Sequence, residues 1–137
     1  MRNSIGITFA LAALAVPLAA VAQEKGPAKP PPPLLREIVQ GMPRGEKQEV
    51  RVIMATLKSG EATPFHTHRF PVTVYVLEGT FTLELEGRAP ITAKAGQAIV
   101  EPPHVKMTGY NRGSEPMRVV IFYVSDPDTP FLEPAHH

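Results

Sequence analysis

The chain has 137 residues, no cysteine and no tryptophan, and its formal net charge is +1 at pH 7. That length allows one domain and hardly two. The lack of cysteine excludes a disulfide framework, a thiolate metal site, a cysteine nucleophile and a lipid-modified cysteine. The sequence has no basic cluster or stripe, so nucleic acid and anionic membrane surfaces are not expected as partners.

The first 22 residues have the pattern of a secretory signal peptide. Arg2 gives a short positive start, Ile5–Val21 is an apolar run, and Ala20-Val21-Ala22 is a small-x-small cleavage signal. We therefore predict cleavage after Ala22 and a periplasmic or secreted protein without stable membrane insertion. An uncleaved anchor is the alternative, because the apolar run is near the shortest that spans a bilayer. Cleavage would leave 115 residues (137 − 22), with 13 basic and 13 acidic side chains.

The segment after the cleavage signal, residues 23–33, is rich in proline and is predicted to be a spacer. Four consecutive prolines favour an extended polyproline helix and do not join a core. The folded domain is predicted to span residues 34–126. Residues 127–137 contain three more prolines and are predicted to be a C-terminal tail.

From Leu34 the sequence consists of short apolar runs separated by glycine and proline. Residues 34–40 are predicted as a weak first strand or a short helix, and Glu78-Gly79-Thr80 as the turn of a hairpin. Further strands are predicted at Glu49–Leu57, Val72–Leu77, Phe81–Glu86, Ile91–Lys94, Gln97–Val100, Val105–Tyr110 and Arg118–Val124. No stretch after Gln40 has sustained helical periodicity. This pattern is typical of an all-β sandwich or barrel, and it does not choose between the two.

Two histidines, His66 and His68, are separated only by Thr67. In an extended segment, side chains alternate between faces, so both imidazoles leave one face and Thr67 leaves the other. Two imidazoles that converge in this way can begin a metal site. The alternative is a pair of neutral polar groups that bind an organic molecule or water.

Around these histidines the sequence resembles the cupin family. The first family motif resembles Gly60, His66, His68, Pro71-Val72 and the run from Val74 to Gly79. The second motif resembles Gly96, Pro102-Pro103, His104, Met107 and Asn111. The resemblance covers roughly Val50 to Val124. It implies a small jelly-roll β-barrel, often dimeric, with a metal or ligand site inside.

The resemblance also implies a set of ligand positions. Cupins that bind metal commonly use two histidines and a glutamate from the first motif and a third histidine from the second. His66 and His68 match the first two positions. Val72 takes the position of the glutamate, Met107 that of the third histidine, and His104 that of a glycine.

These departures change the chemistry expected of the site. With no carboxylate at a ligand position, two imidazoles and a thioether would make a neutral, soft site that suits Cu(I). Copper, zinc, iron and manganese all remain candidates. Met107 is a candidate ligand or a filler of the core, and His104 is a candidate ligand or a solvent-facing residue at the rim.

Three other polar residues are not assigned to the site. Glu101 is the nearest carboxylate to the second motif, but the sequence does not settle which way it points. His136 and His137 end the predicted tail and are expected to be solvated.

Two functional hypotheses follow. The first is a secreted single-domain cupin whose metal ion is held by His66 and His68 and completed by Met107 or His104. Such an ion could serve an enzyme acting on a small organic molecule or could simply be bound. The second is a metal-free cupin that binds a small molecule without catalysis. The resemblance also allows a homodimer, and the sequence leaves the oligomeric state open.

Overall fold

A computed structural model describes residues 26–136. The chain divides into two units, residues 1–31 and 32–137. The described part of the first unit, residues 26–31, is exposed and has no regular secondary structure. The predicted signal peptide and His137 lie outside the described residues.

The second unit is built from strands. Within residues 26–136 there is no helix, and therefore none that could cross a membrane. The strands are β1 Glu49–Leu57, β2 His66–Thr67, β3 Val72–Glu78, β4 Thr80–Leu85, β5 Ile91–Lys94, β6 Ala98–Glu101, β7 Met107–Tyr110, β8 Met117–Ser125 and β9 Glu133–Pro134. The predicted strands β1 and β5 match residue for residue.

The strands form two antiparallel sheets, in the order β1-β8-β3-β6 and β5-β4-β7-β2-β9. Successive strands mostly alternate between the sheets, which gives the predicted jelly-roll barrel. Side chains in a strand alternate between its two faces, so every second residue points into the barrel. The residues that point inward are mostly apolar. Buried residues of both sheets form one core, including Val72, Val74, Val76, Phe81, Leu83, Met117, Val119 and Tyr123.

Two sequence-based expectations about the elements are wrong. Residues 34–40 form neither a strand nor a helix. Glu78-Gly79-Thr80 is not a hairpin turn, because β3 and β4 belong to different sheets. Gly79 is instead a corner between the sheets, with a φ of 78°. The neighbouring hairpin joins β4 to β5, where Thr80 lies opposite Lys94.

The C-terminal segment also differs from the expectation. Its strand β9 pairs with β2, placing Pro134 opposite His66 and Glu133 opposite Thr67. The segment predicted as a tail therefore forms the edge of the five-stranded sheet. The sequence did not predict β9, because this strand has only two residues and one of them is a proline.

The Gly79 corner makes a testable contribution to stability. A Cβ at this position would lie 3.1 Å from the Met117 Cα, whereas a Cβ at Gly87, with a similar φ of 73°, would meet nothing within 4 Å. Gly87→Ala should lower the free energy of unfolding by about 1 to 2 kcal/mol through backbone strain alone. Gly79→Ala should lower it by about 2 to 4 kcal/mol, because crowding is added. Urea unfolding measures both, and equal effects would contradict the crowding.

Candidate metal centre

The two histidines of the first motif lie side by side inside the barrel. His66 begins β2, His68 follows its end, and the side chains of both are buried. Their rings are 4.7 Å apart at an interplanar angle of 80°. The two Nε2 atoms are 3.1 Å apart. The predicted convergence of the imidazoles on one face is therefore present.

Backbone carbonyls determine which nitrogen of each ring carries the proton. His66 Nδ1 lies 2.6 Å from the Pro64 oxygen, and His68 Nδ1 lies 2.5 Å from the Phe131 oxygen. A carbonyl oxygen can only accept, so each Nδ1–H must donate. In the neutral state both Nε2 atoms are then unprotonated, and they lie 3.1 Å apart.

Glu101 adds a carboxylate at the same point. Its Oε2 lies 3.1 Å from His68 Nε2, and its side chain is 7% exposed. Glu101 ends β6 directly opposite Val72 on β3. Directly opposite residues of an antiparallel pair point to the same face of the sheet. A carboxylate, absent at Val72, therefore lies beside His68 from the neighbouring strand, on a residue that the sequence left unassigned.

These three groups are hydrogen-bond acceptors with few donors between them. Two Nε2 atoms and one carboxylate oxygen meet here, in two contacts of 3.1 Å each. One proton on His68 Nε2 can be donated to His66 Nε2 or to Glu101, but not to both. The other contact is then left without a donor. Burial lowers the pKa of His66, and the neighbouring His68 lowers it further, against the raising effects of the Pro64 carbonyl and of Glu101. Protonation of His66 is therefore disfavoured by its surroundings.

The cavity beside these groups is small. Its volume is about 60 Å³, and its lining includes His66, His68, Glu101, Phe131 and Leu132. Within residues 26–136, no group of three or more His, Asp or Glu side chains is already arranged to hold a metal ion. The contacts instead form a chain from His66 through His68 to Glu101.

Met107 is buried next to this chain of contacts. It begins β7 directly opposite His66, so the two side chains share the inward face. Its exposed fraction is 0%, and it belongs to the apolar core. Met107 does not line the cavity, so packing is the role that its position supports.

His104 is not brought into the cavity with the other two histidines. It is exposed and lines a separate, larger pocket with Pro103 and Arg88. Its φ is 61°, the left-handed conformation that explains why a glycine is usual at this position. Its backbone N–H donates to the His68 oxygen at 2.8 Å. His104 therefore supports His68 through its backbone. His136 is also exposed.

Residues 53–123 match the family model of the cupin domain, and this span is just over half of the chain. The chain therefore belongs to the cupin family. Comparison with curated proteins gives no match.

Solved structures agree with this fold. A conserved double-stranded β-helix protein from Klebsiella pneumoniae superposes with a TM-score of 0.56 and 20% identity, over 74% of this chain and 90% of that one. An RmlC-like cupin from Methanocaldococcus jannaschii gives 0.51 and 22%, over 68% and 92%. A DMSP lyase gives 0.54 and 14%, over 64% of this chain and 44% of the lyase chain. At these identities the likeness shows the fold alone.

The lowered pKa of His66 predicts how stability depends on pH in the metal-free protein. The ordinary pKa of 6.5 applies to the unfolded chain, which then binds more protons than the folded one as the pH falls below that value. Stability should therefore be full above about pH 6.5 and should be lost as the pH falls toward the folded-state pKa. Urea unfolding between pH 7.5 and 5 measures the slope. The slope should be smaller in His66→Gln and unchanged in His136→Gln; an unchanged slope in His66→Gln would contradict the prediction.

Proposed function

We propose that this cupin is an exported protein that binds one divalent transition-metal ion through His66 Nε2, His68 Nε2 and Glu101. The observation that carries the proposal is the meeting of three buried acceptors, in two contacts of 3.1 Å each. A divalent cation satisfies all three acceptors at once, which one proton does not. Two donors bound to one ion at about 2.1 Å lie roughly 3.0 to 3.4 Å apart, which matches these contacts.

The hydrogen bonds behind the imidazoles support the same proposal. Histidines that bind metals almost always donate their other N–H to a carboxylate, a backbone carbonyl or water. His66 and His68 both donate Nδ1–H to carbonyls. Because these bonds already present Nε2 to the cavity, ion binding needs no change of tautomer. It still requires His66 and Glu101 to converge on the ion, since the described residues hold no ready-made cluster.

The donor set indicates which metals the site favours. Two neutral imidazoles and a carboxylate carry one negative charge, which attracts a dication. Two histidines with one carboxylate suit iron(II), manganese or zinc better than Cu(I). Met107, the sulfur candidate for a copper site, lies opposite His66 but packs in the core and does not line the cavity.

The size of the cavity limits the chemistry. Three protein donors leave positions on the ion for another molecule, which the ion could polarise or activate. The cavity of about 60 Å³ has room for small species such as water or dioxygen beside the donors. Phe131 and Leu132 form part of its wall, so a larger molecule is easier to admit if these side chains move.

Export is supported only by the sequence of residues 1–22. Expression of the full chain with its natural N-terminus should give a mature protein that begins at Gln23. N-terminal sequencing of the purified protein tests this, and an intact N-terminus would contradict cleavage.

Removing the charge of Glu101 should weaken metal binding. Glu101→Gln keeps the shape of the side chain. We expect metal affinity to fall by more than the roughly 10- to 100-fold that changes of a ligand's hydrogen-bond partners cause, because a direct ligand loses its charge. The matched control is Glu84→Gln, which removes an exposed carboxylate paired with Arg112. His66→Ala/His68→Ala should abolish binding. The measurement is metal content and competition titration of the untagged mature protein.

Failure to bind Zn(II), Fe(II), Mn(II) or copper in stoichiometric amounts would overturn the proposed function. Equal affinities for Glu101→Gln and Glu84→Gln would show that the carboxylate is not a ligand.

The two remaining sequence candidates can be tested in the same assay. His104→Gly keeps the backbone N–H that donates to His68 and relieves the left-handed strain, so metal affinity should persist and stability should rise by up to about 1 kcal/mol. Met107→Leu should leave zinc affinity unchanged, because Met107 packs in the apolar core and leucine is also an apolar side chain. Loss of zinc binding in the His104→Gly or the Met107→Leu variant would show that the substituted residue is a ligand.

A further inference from the structure

The segment Pro130–Ala135, here called the C-terminal strap, runs across the site. A turn leads into it, in which Asp128 has a φ of 62° and Thr129 donates its hydroxyl to the Asp126 oxygen at 2.7 Å. The strap then pairs with β2 through β9. The Ala135 N–H donates to the Phe65 oxygen at 3.0 Å at its far end. The strap is therefore fixed at both ends.

Arg51 on β1 anchors the beginning of the strap. Its Nη2 donates to the Thr129 oxygen at 2.7 Å and to the Ser125 hydroxyl at 2.9 Å. Its guanidinium also lies 4.9 Å from the centre of the Tyr123 ring. A charged donor to a backbone carbonyl is a stronger anchor than a neutral one. Arg51 therefore holds the residue just before the strap.

The middle of the strap contacts the candidate metal centre directly. The Phe131 oxygen accepts the hydrogen bond from His68 Nδ1. The Phe131 ring lies 4.8 Å from the His68 ring and 5.5 Å from the Tyr123 ring. Phe131 and Leu132 also form part of the cavity wall. The strap thus provides both the hydrogen-bond acceptor behind His68 and a barrier in front of the cavity.

We propose that the C-terminal strap is the positioning element of His68. Its Phe131 carbonyl holds the Nδ1–H tautomer, so that Nε2 is free to bind an ion, and its side chains close the cavity so that a bound ion leaves slowly. The second part rests on the proposed metal-binding function, whereas the first concerns the metal-free protein. His66 provides an internal reference for the tautomer. Its backbone also pairs with the strap at Pro134, but its Nδ1 donates to Pro64, outside the strap.

Two variants loosen the strap in the full chain. Arg51→Gln removes the charged anchor at Thr129, and Phe131→Gly removes the ring contacts and adds backbone freedom. Arg118→Gln is the matched control, since Arg118 pairs with Glu78 and has no contact with the strap. Circular dichroism and thermal unfolding identify the variants that remain folded. If Phe131→Gly does not fold, Arg51→Gln carries the test.

The first measurement is the tautomer of each imidazole by ¹⁵N NMR of the metal-free protein. Native His66 and His68 should both be Nδ1–H. In the loosened variants His68 should gain the Nε2–H form while His66 keeps its tautomer. The second measurement is the release of Co(II) or Zn(II) to an excess of chelator, which we expect to be at least about tenfold faster in the variants.

The outcomes separate the two proposals. An unchanged His68 tautomer in a folded, loosened variant overturns the role of the strap, as does a native His68 that is Nε2–H. Metal release at the native rate overturns its role as a barrier. If the tautomer responds as expected but the native protein binds no metal, the positioning role stands and the proposed function fails. A parallel change in His66 would indicate general loosening of the barrel and would also overturn the proposal.

Discussion

The candidate site depends on two hydrogen bonds from imidazoles to backbone carbonyls. The Pro64 and Phe131 oxygens each take the Nδ1 proton of a histidine, and both Nε2 atoms are thereby left as acceptors inside the barrel. Because the carbonyls belong to the backbone, their positions follow from the sheet and the strap. The direction of the histidines is thus fixed by the fold before any ligand is considered.

The burial of Glu101 is a second constraint on the candidate site. An ionised carboxylate removed from water costs several kcal/mol unless a cation or donors compensate it. Glu101 lies next to Val72, which has Tyr123 on its other side, so these neighbours offer mainly apolar surface. Its contact within the site is with His68 Nε2, at 3.1 Å. The hydrogen bonds at Nδ1 and the burial of Glu101 therefore direct polar atoms to one point inside the barrel.

The sequence was sufficient for the family, the barrel and most strands. These features follow from local patterns: the apolar run of β1, the β-branched run of β3, the alternation in β4, the turn glycines and the residue spacing of the two motifs. It also predicted that His66 and His68 lie on one face, because residues two apart in an extended segment point the same way. The hairpin turn predicted at Gly79 was wrong, because a glycine indicates a turn with a positive φ but does not show which strands pair after it.

Glu101 and the strap could not be predicted for reasons of geometry. The run Ala98-Ile99-Val100 before Glu101 is apolar at every position, so it has no alternation from which the inward face can be read. The register with β3 resolves the direction, because Ile99 lies opposite Val74 and Glu101 opposite Val72. The strap is held by its pairing with β2 and by Arg51, and both partners are distant from it in sequence.

The pairing of Val72 with Glu101 has a consequence for reading such barrels from sequence. These two positions are 29 residues apart along the chain (101 − 72), yet they lie directly opposite each other and face the same side of the sheet. A motif read along the chain inspects position 72 alone. It therefore misses an acid that faces the interior from the paired strand.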